Sequence, residues 1–455
     1  MPTFSPTKLA QWSGGTWVPT CPESIEGAST DSRTIARGNI YFALKGKNFE
    51  GHNFINAAFE KGASGAVANK DWTGAVDKKR PMLRVSDTGK ALRDVAAGYR
   101  RDVGAEIIAV TGSVGKTTVK EMTARVLSSV TKTASTRGNW NNAIGLPLSL
   151  LSMEKSAKVG VFELGMNQPG EIADLCGILV PDWGVITNAG PVHIEFFRSV
   201  DAIAREKADL LKSLPKKGVA VLCSDGEFFD LFKSMAPSRL ITISANGDAD
   251  YFCLKRDLKK KEVMISERET GEKFLFRAAL PGAHNVMNAM FAIAVGRAHG
   301  ADWSQIQVAL ESYVSPPMRW EQKEIREIKV INDAYNANPL SMRVAIQTFG
   351  EEVTAGGKWL VVAGMLELGD REMEEHIALG KFIGSGNWDG LVVVGRMGQD
   401  IAKGAESSGF KKDRLFCCET NAEAAALIKE KVKRGDAILV KASRGMHLEE
   451  IVESL

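Results

Sequence analysis

Short apolar runs alternate with amphipathic stretches along most of the chain. Ile40 to Leu44, Gly65 to Ala68 and Met82 to Val85 read as buried strands, with helical stretches such as Phe54 to Lys61 between them. From residue 106 the same rhythm resumes. Glu106 to Val110, Val159 to Glu163, Trp183 to Asn188, Val219 to Cys223 and Leu240 to Ser244 read as strands, and Val200 to Leu214 as one of the intervening helices. Such alternation predicts a mostly parallel sheet wrapped by helices. Over 251–280 the pattern changes. Tyr251 to Leu254, Glu262 to Ser266 and Lys273 to Phe276 read as antiparallel hairpins joined by charged turns, before Pro281-Gly282 opens a helix from Asn285 to His299. Ser315-Pro316-Pro317 is the sharpest break, because consecutive prolines fit neither a helix interior nor an inner strand. Beyond it Ile328 to Ile331, Trp359 to Ala363, Gly390 to Val394 and Ala437 to Val440 alternate with helical stretches, as in a second, smaller doubly wound sheet.

The chain has 455 residues, too many for one ordinary core. Three α/β blocks follow from the pattern, 1–103, 104–317 and 318–455, with no internal repeat. A net charge of +3 is small for this length, and no long basic run goes beyond Lys259-Lys260-Lys261, which reads as a solvated turn. Nothing demands nucleic acid or a membrane surface. No apolar run approaches the roughly 18 residues a bilayer crossing needs, and the N-terminus carries no basic-then-apolar signal segment. Cys21, Cys176, Cys223, Cys253, Cys417 and Cys418 form no C-x-x-C pair, as expected for reduced thiols in the cytoplasm.

The chemistry gathers at strand ends. After the run Ile107 to Val110 comes Thr111-Gly-Ser-Val-Gly-Lys-Thr-Thr118, then a helical pattern with Val119, Met122, Val126 and Val130 on one face. Strand, glycine turn, Lys-Thr and helix is the arrangement that cradles the phosphates of a nucleoside triphosphate on backbone N–H groups. Lys116 would reach the β- and γ-phosphates, and the Thr117 hydroxyl would hold Mg²⁺. The usual pattern asks for glycine at position 110, where this chain has valine.

Glu163, directly after an apolar strand, is placed either to hold Mg²⁺ or to cap a helix. His193 lies beyond the next strand end, suited to a metal or phosphate but equally to a structural role. Lys207, on the following helical pattern, reads locally as a surface lysine. Asn285 and Asn288, three apart, share a helix face and could bind a purine edge or cap the helix. Residues 332–339, Asn-Asp-Ala-Tyr-Asn-Ala-Asn-Pro, follow a strand and read as a binding loop or a polar turn. Arg319 has no local signal.

Taken in order, these motifs resemble the Mur ligases of bacterial cell-wall synthesis, across essentially the whole chain. The phosphate loop 111–118 is similar to the family's shortened variant. So are Gly138-Asn-Trp-Asn-Asn-Ala-Ile-Gly-Leu-Pro147, Glu163-Leu-Gly-Met-Asn167, Pro281-Gly-Ala-His-Asn-Val-Met-Asn288, Asp333-Ala-Tyr-Asn-Ala-Asn-Pro339, Gly364-Met-Leu-Glu-Leu-Gly369 and Val440-Lys-Ala-Ser-Arg-Gly445. Asp31-Ser-Arg33, Phe42-Ala-Leu-Lys-Gly46 and Gly51-His52 resemble the uridine-binding domain of the MurE and MurF types. The loop at 333–339 differs from the D-Y-A-H-x-P-D of MurE types and no D-N-P-R occurs, so the MurF type is the nearer resemblance and the MurE type the alternative.

The resemblance implies an N-terminal UDP-binding domain, a central P-loop domain with a small antiparallel sheet, and a C-terminal Rossmann-like ligase domain. It implies ATP and Mg²⁺ as cofactors, UDP-N-acetylmuramoyl-tripeptide and D-alanyl-D-alanine as substrates, and a cytoplasmic monomer. By position, Gly112, Ser113, Val114, Gly115, Lys116, Thr117, Thr118, Asn285, Asn288, Arg319 and Asp333 would bind ATP. Thr117 and Glu163 would hold one Mg²⁺. His193 and a carbamylated Lys207 would serve a second, and Lys116, Lys207, His193, Arg319 and Asp333 would be catalytic. Ser32, Lys47, Asn48 and Phe49 fall where UDP is held. Asn139, Asn141, Asn142, Tyr335, Asn336 and Asn338 would face the peptide substrates.

Overall fold

The computed structural model describes residues 2–46, 49–237, 239–257 and 260–455. Lys47 and Asn48, expected at the uridine site, and Lys259 of the basic run lie outside the described residues.

In the first block, strands Ala28–Ser29, Ile40–Phe42, Gly65–Asn69 and Met82–Val85 run parallel, and Thr16–Val18 adds an antiparallel edge. The helix expected from Phe54 begins one residue later, at Ile55, because Gly51–Phe54 forms a tight 3₁₀ turn first. Helix Thr88–Val103 follows. The Asp87 side chain caps its start by accepting from the Lys90 N–H, and Gly104, at φ 67°, ends it. Its apolar face buries Leu92, Val95, Ala96 and Tyr99, and the Tyr99 hydroxyl donates to the Met153 carbonyl at 2.6 Å. One apolar cluster therefore runs from Phe4 and Ile40 through Val95 and Tyr99 to Ile107, Leu146, Leu175 and Leu210. The first two blocks share a core.

The central sheet has nine strands among the described residues. Their order is Thr133–Ser135, Val159–Glu163, Glu106–Thr111, Trp183–Ile186, Val219–Cys223, Arg239–Ser244, Tyr251–Asp257, Glu262–Glu267 and Lys273–Arg277. The first seven run parallel, and each of the last two pairs antiparallel with the strand before it. The hairpins expected over 251–280 thus extend the central sheet instead of standing apart, since Tyr251–Asp257 pairs directly on Arg239–Ser244. The chain leaves strand Glu106–Thr111 toward one edge and returns on its other side at Trp183–Ile186. Ligands collect at such a switch point, beyond the carboxyl ends of the strands. The register is level there, with Val110 opposite Glu163 and Thr111 opposite Ile186. Helix Lys116–Ser128 ends before Val130, which packs beside it as part of the exit turn.

The last block places strands in the order Glu321–Ile325, Ile328–Asn332, Ala437–Lys441, Lys358–Val362, Gly390–Val394 and Leu415–Cys418, all parallel except the first. Apolar clusters cover both of its faces, and one of them takes in Ile194 from the central block. No helix among the described residues is long and apolar enough to cross a membrane.

Candidate active site

Strand Glu106–Thr111 delivers Gly112 and Gly115 to the phosphate-loop turn at φ 148° and 88°. Side chains would not fit at either place. A Cβ on Gly112 would lie 1.9 Å from Thr187 Oγ1, and one on Gly115 2.5 Å from Asn288 Oδ1. The loop is braced from the next strand end. Asn188 accepts from the Val114 N–H with Oδ1 and donates to the Val114 carbonyl with Nδ2, both at 2.9 Å. The Thr187 hydroxyl donates to the same carbonyl at 2.6 Å, while the Ser113 hydroxyl donates to the Gly190 carbonyl and accepts from its N–H.

Lys116 curls back over this turn and donates to the Gly112 carbonyl at 2.7 Å. Burial pushes its ammonium below the usual lysine range; Glu163 opposes the shift and Arg319 adds to it. Glu163 is 1% exposed. Its Oε2 accepts from the Thr117 hydroxyl and its Oε1 from Asn141 Nδ2, each at 2.7 Å. Lys207 is also buried, contrary to its local reading as a surface lysine. The helix Val200–Lys212 turns it inward beside Met166 Sδ at 3.7 Å. Desolvation drives its pKa far down, with Lys116 reinforcing and the neighbouring Glu206 opposing.

His193 sits in left-handed backbone at φ 51°. Its Nδ1 is hydrogen-bonded to Glu367 of the last block, and this contact holds the Glu367 carboxyl below its usual range. On the same side, Asp333 accepts from the Trp320 N–H at 3.0 Å and from Lys441 Nζ at 2.6 Å. Lys441 is buried and also donates to the Asn336 carbonyl. The guanidinium carbon of Arg319 lies 3.9 Å from the centroid of the Tyr335 ring.

A cleft of about 330 Å³ brings these groups together. Of the residues singled out in the sequence, Ser113 to Thr118, Asn139, Asn141, Asn142, Glu163, His193, Asn285, Asn288, Arg319, Asp333, Tyr335, Asn336 and Asn338 line it. Gly112 lies behind the lining, and so does Lys207. Ser32 and Phe49 lie away from it in the first block, where Phe49 is exposed and stacks on Phe54. Some of the amides have local duties. Asn142 accepts from the Gly145 N–H, and Asn338 forms a capping box with Ser341 at helix Pro339–Glu351. Asn285 Nδ2 bonds the Pro281 carbonyl and its Oδ1 accepts from Asn288, which leaves Asn288 Oδ1 facing Gly115.

Sequence reasoning missed Asn188, Glu367 and Lys441 as site residues. Each stood inside a quoted run (the strand end at 185–188, and the motifs at 364–369 and 440–445), but only the fold shows what it touches.

Three family models match in order along the chain. "Mur ligase family, catalytic domain" covers 24–100, "Mur ligase middle domain" 110–296, and "Mur ligase, glutamate ligase domain" 318–444. The UDP-N-acetylmuramoyl-tripeptide–D-alanyl-D-alanine ligase of Bacillus subtilis (strain 168) is 36% identical over 95% of this chain and 93% of its own length. The chain belongs to the Mur ligase family. Among solved structures, MurF from Acinetobacter baumannii superposes with a TM-score of 0.89 at 30% identity, covering 100% of this chain and 99% of that one. MurF from Thermotoga maritima in complex with ADP gives 0.79 at 26% identity, over 94% and 96%. The α/β, three-domain Mur ligase architecture is thereby established for this chain.

The residues fit the groups that a Mur ligase uses. The turn at Gly112 and Gly115 has no room for a Cβ beside Thr187 and Asn288, so only glycines fit this tight backbone loop, as a phosphate-binding turn requires. Thr117 and Glu163 put a hydroxyl and a carboxylate side by side, the hard oxygen donors that Mg²⁺ prefers. For a second cation, His193 offers an imidazole and unmodified Lys207 no anion; a carbamate on Lys207 would supply one.

Proposed function

We propose that this Mur ligase joins D-alanyl-D-alanine to UDP-N-acetylmuramoyl-tripeptide at the expense of ATP, a step in making the peptidoglycan precursor. The observation that carries the reading is the full-length match to ligases of that name, at 36% identity over 95% of the chain. The adenine-nucleotide part is supported by the fit to an ADP-bound MurF. The 333–339 loop, which distinguishes this chain from MurE types, lies in the cleft beside the phosphate loop.

A peptide carboxylate is a poor electrophile at neutral pH. In the proposed reaction its oxygen attacks the γ-phosphorus of ATP, the bond to the β-phosphate oxygen breaks, and ADP leaves. The dipeptide amine then attacks the acyl carbon of the resulting acyl phosphate. The carbon–oxygen bond to phosphate breaks, phosphate departs, and the new amide nitrogen loses a proton. Positioning and charge neutralisation carry most of such catalysis. Lys116 lies within the loop to offset charge on the transferring group. Thr117 and Glu163 would hold Mg²⁺, with His193 and carbamylated Lys207 serving a second ion; bound cations spread the phosphate charge and orient the oxygens. Asn285 and Asn288 would take the nucleotide side, and Arg319 and Asp333 would close on it from the last block. Asn139, Asn141, Asn142, Asn336 and Asn338 would meet the peptides, and the first block, with Ser32 and Phe49, would hold the UDP end. We assign UDP binding to 1–103, ATP binding to 104–317 and the closing ligase domain to 318–455, in a cytoplasmic monomer; the free cysteines suit that compartment.

The test is phosphate release with UDP-N-acetylmuramoyl-tripeptide and ATP, comparing D-alanyl-D-alanine, diamino acids and no acceptor. Turnover is expected with the dipeptide alone. Turnover with a single amino acid on the UDP-muramoyl-dipeptide, and none with D-alanyl-D-alanine, would establish the MurE-type alternative.

A further inference from the structure

We propose that Tyr335 is the positioning residue that aims Arg319, its ring face carrying the guanidinium so that the N–H edge stays free for the transferring phosphoryl group. The proposal rests on the ligase reading above. It reassigns Tyr335, which the sequence placed among the peptide-binding residues.

Arg319 stands in unusual backbone. Its neighbours Met318 and Trp320 both adopt left-handed conformations, at φ 57° and 54°, a region that side chains of this size enter only when the surroundings impose it. The surroundings here are the 333–335 loop. The Tyr335 N–H donates to the Met318 carbonyl at 3.1 Å, and Asp333 accepts from the Trp320 N–H at 3.0 Å. The loop therefore grips the chain on both sides of Arg319 and presents a ring beneath its side chain, 3.9 Å from the guanidinium carbon.

That ring is the guanidinium's support. Among the described residues no hydrogen bond or ion pair engages the Arg319 head group. The nearby carboxylate is already spent, since Asp333 gives one oxygen to Trp320 and the other to Lys441. A planar guanidinium lying on an aromatic face keeps its donors in the plane of the fork, open to an anion. Arg319 lines the same cleft as Lys116 and is close enough to help depress the Lys116 pKa. A loose arginine would lose rotamer freedom on meeting the phosphate; a stacked one has lost it beforehand. The Tyr335 hydroxyl has no hydrogen-bond partner among the described residues, so the ring and not the hydroxyl carries the effect.

The experiment compares Tyr335→Phe and Tyr335→Leu with the wild-type chain. It measures kcat, the KM for each of the three substrates, and thermal melting. Tyr335→Leu is expected to lower kcat about tenfold, the scale of a partly desolvated cation–π contact, with KM for both peptide substrates unchanged. Tyr335→Phe is expected to retain wild-type kcat. In a cycle with Arg319→Lys, which cannot lie flat on the ring, adding Tyr335→Leu should cost no more. The proposal is overturned if Phe is as impaired as Leu, or if Leu raises a peptide KM at constant kcat, as a substrate contact would. Should Tyr335→Leu melt before assay, Tyr335→Met takes its place with the same expected loss of kcat, and wild-type kcat in the folded ring-less variant overturns the proposal. A wild-type chain inactive with D-alanyl-D-alanine refutes the ligase reading itself, and the inference with it.

Discussion

The Thr117 hydroxyl donates a 2.7 Å hydrogen bond to the Glu163 carboxylate. This joins the first turn of the helix after the phosphate loop to the last residue of the neighbouring strand. Glu163 stands opposite Val110, near the end of the strand that feeds the loop. Asn141 holds the other carboxylate oxygen, so the group is fixed in orientation before any cation arrives. Oxygens arranged this way lose no conformational freedom on taking up Mg²⁺.

Glu163→Gln keeps the shape and removes the charge. Dipeptide-dependent phosphate release is expected to fall roughly 100-fold or more, since one anionic oxygen at the phosphoryl centre is gone. Calorimetry with ADP checks the cause. Mg²⁺ should tighten ADP binding to the wild-type chain and leave the variant's affinity unchanged. A variant that still responds fully to Mg²⁺ removes Glu163 from the cation site.

Asn188 makes a second, independent prediction. Its carboxamide bonds both backbone groups of Val114, so Asn188→Ala strips the Val114 N–H of its partner and leaves the carbonyl with the Thr187 hydroxyl alone. Such losses cost about 1–3 kcal/mol. Part of that is expected as weaker nucleotide binding, about a tenfold rise in the KM for ATP, because the loop no longer holds its shape. The KM for the UDP substrate should not move. Steady-state kinetics with each substrate varied in turn separates the two.

Much of this was legible in the sequence, and the reasons are physical. Strands such as Val159–Glu163 and Gly390–Val394 appear at their expected bounds because fully buried parallel strands are continuous apolar runs. Loop chemistry at the strand ends, from Gly112 through Glu163 and His193 to Asp333, could be read because such sheets place ligands there. What escaped was tertiary. Lys207 looks like any helix-surface lysine until the fold turns it inward. The support that Glu367 gives His193 spans 174 residues, and the grip of Lys441 on Asp333 spans 108. No local pattern encodes either. The shared core at helix Thr88–Val103 was likewise invisible, since periodicity shows that a face is apolar but not which neighbour covers it.

Lys207 gives a chemical prediction. Burial and the nearby Lys116 hold its amine toward the neutral form, and only a neutral amine attacks CO₂. The nitrogen lone pair forms a bond to carbon, one N–H proton leaves, and a carbamate anion results. With ¹³C-bicarbonate, a carbamate resonance is expected in the wild-type chain and none in Lys207→Ala. Adding bicarbonate should raise the activity of CO₂-depleted wild-type enzyme only. A spectrum without that resonance at saturating bicarbonate would leave Lys207 a plain buried amine and the second cation without an anionic ligand.

His284 predicts how stability depends on pH. It stands at the start of the helix that carries Asn285 and Asn288, with Nδ1 3.5 Å from the Thr348 hydroxyl of the last block. Partial burial in the wall of the cleft lowers its pKa from 6.5 to about 4; Asp333 opposes the shift and Lys441 reinforces it. The folded chain thus binds this proton less readily than the unfolded chain. Its contribution to stability is complete above pH 6.5 and is lost progressively as pH falls toward about 4. Carboxylates titrate in the lower part of the same range, so the informative quantity is a difference. His284→Gln, which cannot take up that proton, should lose less melting temperature than the wild-type chain between pH 7 and pH 5. Parallel pH profiles for the two would show that the imidazole is already hydrated in the folded chain, and that the contact between His284 and Thr348 does not exclude water.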